Sequence, residues 1–201
     1  QNGALVFNMT MDYVDILGGV AAQFPSDSGK FTLAAPTTGD TNLYFRGLWF
    51  SRDGRTPVQG LTLQQIPDTA GWTYQAWIFD RRNINYIYDM GRFQRPWAAD
   101  DNTQCRGTEA PWDLPGHDWI LPDCPGQIPD ITNLSVNNTD YEVVITLEPR
   151  FEQASALSKP FFIRLFYLRI PGPIQYGEVL SLANFASATL PSGIITLTAN
   201  R

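Results

Sequence analysis

Apolar residues recur along this chain with a period of two, and the pattern predicts strands almost throughout. No segment keeps apolar residues at helical spacing beyond two turns. Ala4–Thr10 is apolar and rich in strand formers, and Gly29–Ala35 follows a turn over Pro25–Gly29. Leu43–Ser51 is aromatic-rich and stops at Arg52-Asp53-Gly54, and Val58–Leu63 alternates. Trp72–Asp80 is strongly strand-prone and is expected to pair with Ile84–Gly91 across Arg81-Arg82-Asn83. Tyr141–Glu148 places Tyr141, Val143, Ile145 and Leu147 on one face and Glu142, Thr146 and Glu148 on the other, so a core side and a wet side are expected. Pro160–Ile170 is apolar on both faces and is expected to be central or covered. Gly177–Ala188 fits a short helix or a strand and turn, and residues 194–199 alternate again.

About nine to eleven strands punctuated by Gly and Pro predict one all-β domain over residues 1–201, an immunoglobulin-like β-sandwich. One stretch breaks the pattern. Residues 94–138 form a long insert with six prolines, and loops of that length are uncommon without a function or a staple. Cys105 and Cys124, the only cysteines, lie in it. They are expected to form a disulfide, worth about 3 kcal/mol by the loop-entropy argument, and the bond implies an oxidising compartment.

Composition narrows the function. Hydrophobic residues make up 43% and charged residues 17%, the balance of a folded domain. The net charge is −6 and the basic residues are scattered, so no nucleic-acid partner is expected. Arg outnumbers Lys twelve to two, which fits Arg-rich contacts or a compositional bias of the genome. No apolar run approaches the ~20 residues that span a bilayer. The sequence starts at Gln1 rather than Met, which fits a removed secretory leader or an arbitrary cut.

From residue 36 to about residue 170 the chain resembles a known family. Ala35-Pro36-Thr37 precedes Gly47-Leu48-Trp49-Phe50, followed by Val58–Leu63, Ile66-Pro67 and Gly71-Trp72-Thr73-Tyr74-Gln75-Ala76-Trp77-Ile78. Then come Gly91-Arg92-Phe93, Pro115-Gly116-His117-Asp118-Trp119-Ile120, Val144–Pro149 and Pro160–Ile163. In this order the motifs are similar to the extracytoplasmic C-terminal domain of anti-sigma-K-type factors and to its secreted and lipoprotein relatives. The family's Glu-Gly between the Tyr and the second Trp is here Gln75-Ala76. The resemblance implies a β-fold outside the cytoplasm. It implies no sigma binding, which belongs to a cytoplasmic helical segment and a membrane helix that this sequence does not contain. Strands 4–10 and 194–199 lie outside the matched core and are expected either to complete the chain's own sheet or to enter a neighbour's.

Candidate chemistry is sparse. His117, the single histidine, has no evident nucleophile, and zinc would need Cys105, Cys124 and a carboxylate. Asp100, Asp101, Asp113, Asp118, Asp123 and Asp130 crowd the insert and fit turns, or calcium without an EF-hand spacing. Trp97, Trp112 and Trp119 are candidate ligand-contact aromatics, or they pack the insert down. Asn8, Asn133 and Asn137 begin glycosylation sequons. The expected function is therefore a secreted, non-enzymatic structural protein without cofactor or metal, associating with itself into a filament or surface layer. The alternative is a periplasmic or cell-surface module binding carbohydrate or protein.

Overall fold

The computed structural model describes residues 4–9, 20–82, 87–120, 140–151, 159–190 and 193–198. Ten strands are described: β1 (Ala4–Met9), β2 (Gly29–Leu33), β3 (Gly47–Trp49), β4 (Trp72–Asp80), β5 (Ile87–Phe93), β6 (Gly116–Asp118), β7 (Tyr141–Pro149), β8 (Arg164–Arg169), β9 (Val179–Asn184) and β10 (Gly193–Thr198). Eight of them form one antiparallel sheet in the order β5-β4-β7-β8-β9-β2-β3-β6. The sheet curls until its edge strands, β5 and β6, approach each other. The all-β class expected from the pattern is what the chain adopts. The strand order does not divide into the two separate sheets of an immunoglobulin-like sandwich.

β4 and β7 pair along nine residues each, from Trp72 opposite Pro149 to Asp80 opposite Tyr141. Tyr74, Ala76 and Ile78 of β4 and Tyr141, Val143, Ile145 and Leu147 of β7 face the main core, beside Phe31, Leu48, Phe50, Phe93 and Phe166. Each such large apolar side chain contributes roughly 1.5–3 kcal/mol by leaving water. The other face of β7 departs from expectation. Thr146 and Glu148, placed on a wet side by alternation, are buried. Trp77 of β4 covers them, donating Nε1–H to Thr146 Oγ1 at 2.8 Å, and Glu148 Oε1 accepts from the Phe161 amide at 2.7 Å. A buried carboxylate with such donors is tolerated where a bare one is not.

Other departures are local. Leu43–Arg46, expected as the start of a strand, belongs to a 3-10 segment, Thr41–Arg46, capped by Asp40, whose Oδ1 accepts from the Asn42 amide at 2.9 Å, so β3 is only Gly47–Trp49. Val58–Leu63 makes only isolated bridges, Ser51 to Gln59 and Gly29 to Leu61. Residues 177–188 resolve into β9 and a one-turn helix, α1 (Ala186–Thr189). The expected loop 94–138 contains β6, an edge strand of the main sheet paired with β3.

β1 and β10 stand apart in topology. Among the described residues they pair only with each other, antiparallel, from Ala4 opposite Thr198 to Met9 opposite Gly193. Among the described residues no helix is long and apolar enough to cross a membrane.

Candidate functional site

The polar residues of the insert converge under the β3–β6 edge. Asp118 lies opposite Gly47 in the β3–β6 pair and is fully buried. Its Oδ2 accepts from the Thr37 amide at 3.0 Å and the Thr37 hydroxyl at 2.6 Å, and its Oδ1 accepts from Trp49 Nε1 at 2.5 Å. Burial raises its pKa, and these donors and Arg106 oppose the rise. Thr37 Oγ1 in turn accepts from the Gly107 amide at 2.7 Å, and the Thr37 carbonyl accepts from the Glu109 amide at 2.9 Å. One carboxylate thus ties residues 105–110 of the insert to the sheet.

Asp100 closes the seam between β5 and β6. It accepts from the amides of Gly116 at 2.7 Å and Asn102 at 3.0 Å, and from Arg106 Nη2 at 3.2 Å. Burial pushes its pKa up to about 7, against the pull of those donors. Arg106 is buried with it, and its guanidinium lies 5.5 Å from the centroid of the Trp49 ring.

His117 is neutral. Burial first, then the charge of Arg106, lowers its pKa to about 3, opposed only by the Asn102 backbone. Its ring meets Trp119 edge-on at 5.0 Å, and Nδ1 has no hydrogen-bond partner. His117 and Asp118 are neighbours on a strand, so their side chains leave on opposite faces and form no dyad. Among the described residues no nucleophile is hydrogen-bonded to His117.

The three insert tryptophans do not share a surface. Trp97 is 45% exposed, Trp112 is half-buried and edge-on to Trp49 at 5.9 Å, and Trp119 is 3% exposed in the main core. Of the two roles expected for these rings, Trp119 and Trp112 pack the insert down, Trp119 drawn inward beside the β3–β6 pairing, and Trp97 stays at the surface. Trp112 also lines a pocket of about 260 Å³ with Tyr44, Arg55 and Tyr176.

Cys105 is buried, with φ of 64°, and is not a free thiol. Cys124, Asp123, Asp130, Asn133 and Asn137 lie outside the described residues. Asn8 lies in β1, opposite Ile194. Asp113 accepts from the Ala99 amide at 3.2 Å, a link between two distant parts of the insert rather than a local turn. No group of three or more metal-ligating side chains occurs among the described residues. Compared with known proteins, the chain matches no family model, no curated protein and no solved structure.

What the sequence reading missed is a groove of about 500 Å³ beside the seam, lined by Arg92, Gln94, Arg95, Asp100, Asp101 and Arg150. Arg92 lies within Gly91-Arg92-Phe93 and Arg95 just beyond it, but Arg150 reaches them only through the β4–β7 pairing, a contact no spacing rule could supply. The polar network under β6 was half legible: its aspartates stood out in sequence, while Thr37, Trp49 and Arg106 gave no signal.

Proposed function

We propose that this chain is an exported, non-enzymatic structural protein that associates with itself, and that its first and last strands make the contact. The observation that carries the reading is the β1–β10 ribbon. It shares no strand with the eight-stranded sheet, and a two-stranded ribbon alone is marginal in water. Among the described residues no strand pairs with either of its outer edges, and such an edge is the template for adding a strand from another copy. Repeated head to tail, such a contact does not close and gives filaments.

The polar chemistry agrees with a scaffold. Asp100 and Asp118 spend their oxygens on backbone amides, Thr37, Trp49 and Arg106, which holds the insert to the sheet. A Cys105–Cys124 disulfide is part of the proposal and is supported by Cys105 not being a free thiol. So is kinship with the extracytoplasmic anti-sigma-K-type domain, supported by the ordered motifs, four of which fall on β3, β4, β6 and β7.

Negative-stain imaging of the full chain and of a chain lacking residues 1–11 tests the reading. The full chain is expected to form filaments or regular layers and the truncated chain single particles. Identical assembly by both refutes strand addition.

A further inference from the structure

The geometry points to the groove beside β5 as a binding site for a carboxylated sugar, an internal stretch of a uronate-containing polysaccharide. Its floor holds an unsatisfied donor. Arg92 Nε donates to Gln75 Oε1 at 2.8 Å, while Arg92 Nη2 is shut off from water without any hydrogen-bond partner. Arg92 thus brings to the groove wall a guanidinium charge that its own surroundings satisfy only in part. Arg95 and Arg150 line the same groove and stand exposed.

The carboxylates lining the groove leave Arg92 and Arg95 without an ion pair. Asp101 spends Oδ1 on the Arg92 amide at 2.6 Å, and Asp100 is taken by Gly116, Asn102 and Arg106. Asp89 of β5 faces Arg92 electrostatically without a salt bridge, while Arg150 donates to the Asp68 carbonyl at 2.7 Å and holds a long, solvent-exposed ion pair with the Asp68 carboxylate at 3.9 Å, which an incoming anion can exchange. Neither Arg92 nor Arg95 forms a salt bridge among the described residues. In a chain of net charge −6, three guanidinium groups around one groove select a planar carboxylate, which a guanidinium fork meets with two parallel hydrogen bonds.

Two features favour a sugar over a peptide acid. Trp97, 45% exposed, precedes Ala98 of the groove wall, and Phe151, 82% exposed, stacks with Arg150 at 5.8 Å. Exposed flat rings beside guanidinium groups suit the apolar face of a pyranose carrying a carboxylate. About 500 Å³ open to solvent accommodates two or three sugar units with the chain continuing past both ends.

Titration calorimetry with the full chain tests the site, using oligogalacturonate, poly-glutamate, dextran sulfate and cello-oligosaccharide as separate probes. Saturable binding of oligogalacturonate is expected, tighter than that of the other three. The double variant Arg95→Ala/Arg150→Ala is expected to weaken it tenfold or more at unchanged Tm, and Trp97→Ala to weaken it severalfold. Equal binding of poly-glutamate or dextran sulfate reduces the groove to a general polyanion patch and overturns the sugar assignment. No oligogalacturonate binding, or binding indifferent to the Arg95/Arg150 pair, overturns the site. Neither result bears on strand-mediated assembly, because the arginines and tryptophan substituted here all lie outside residues 1–11.

Discussion

Arg106 sits between two buried titratable groups that pull stability in opposite directions. Asp100, raised to about 7, binds a proton in the folded state that the unfolded carboxyl, near 3.8, does not hold between those pH values. Its share of stability therefore falls as pH rises through that window, by about 1.4 kcal/mol per unit at most. His117, lowered to about 3 from 6.5, is neutral when folded and charged when unfolded between those values, so its share rises with pH. From about pH 4 to 6.5 the two slopes cancel. Substituting one group exposes the other. Relative to the parent, His117→Gln should lose stability as pH rises from about 3 to 6.5, and Asp100→Asn should gain it from about 4 to 7, read by urea denaturation at stepped pH. If both variants keep the parent's profile, Asp100 and His117 do not titrate as the buried network requires.

At the scale of elements, the seam between β5 and β6 depends on two glycines. A β-bulge in β5 places Trp77 opposite Asp89 and Ala76 opposite Gly91, so the ladder shifts there, and Gly91 takes φ of 115° with its amide donating to Asp89 Oδ1 at 2.8 Å. A Cβ on Gly91 would stand 2.5 Å from Asp100 Oδ1, and one on Gly116 2.7 Å from Trp49 Cα. Gly91→Ala should therefore cost about 2 kcal/mol or more, through both the backbone and the displaced Asp100. Thermal denaturation checks it, and a Tm equal to the parent's would show that the seam is not held there. The long regular strands β4 and β7 were legible because alternation over nine residues is a strong signal. β6 was not, because a three-residue strand has no period to detect, and β3 was legible only as the end of a longer aromatic-rich run. The buried side of β7 was misjudged for another reason: Glu148 reads as a solvent residue until Trp77 and the Phe161 amide, both distant in sequence, are brought to it. The Arg groove was illegible for the same cause, since Arg150 joins Arg92 and Arg95 only in the folded sheet.

At the scale of the whole molecule, the eight-stranded sheet is nearly closed on itself, and near-closure removes most of the unpaired edge that a sheet would offer. Among the described residues, the β1–β10 ribbon is the other place where strand edges have no partner strand. Association through backbone pairing is short-range and depends little on the net charge of −6, so assembly should survive moderate salt, unlike uronate binding in the groove. Consecutive residues of a strand present their amides to opposite edges. Val6→Pro with Phe7→Pro therefore removes one donor from the pairing with β10 and one from the free edge. Sedimentation velocity over a concentration series is the most direct measurement. The account predicts that the parent chain's weight-average sedimentation coefficient climbs with concentration while the double-proline chain stays monomeric with the same Tm. A parent that remains monomeric throughout, or a double variant that associates as the parent does, would contradict it.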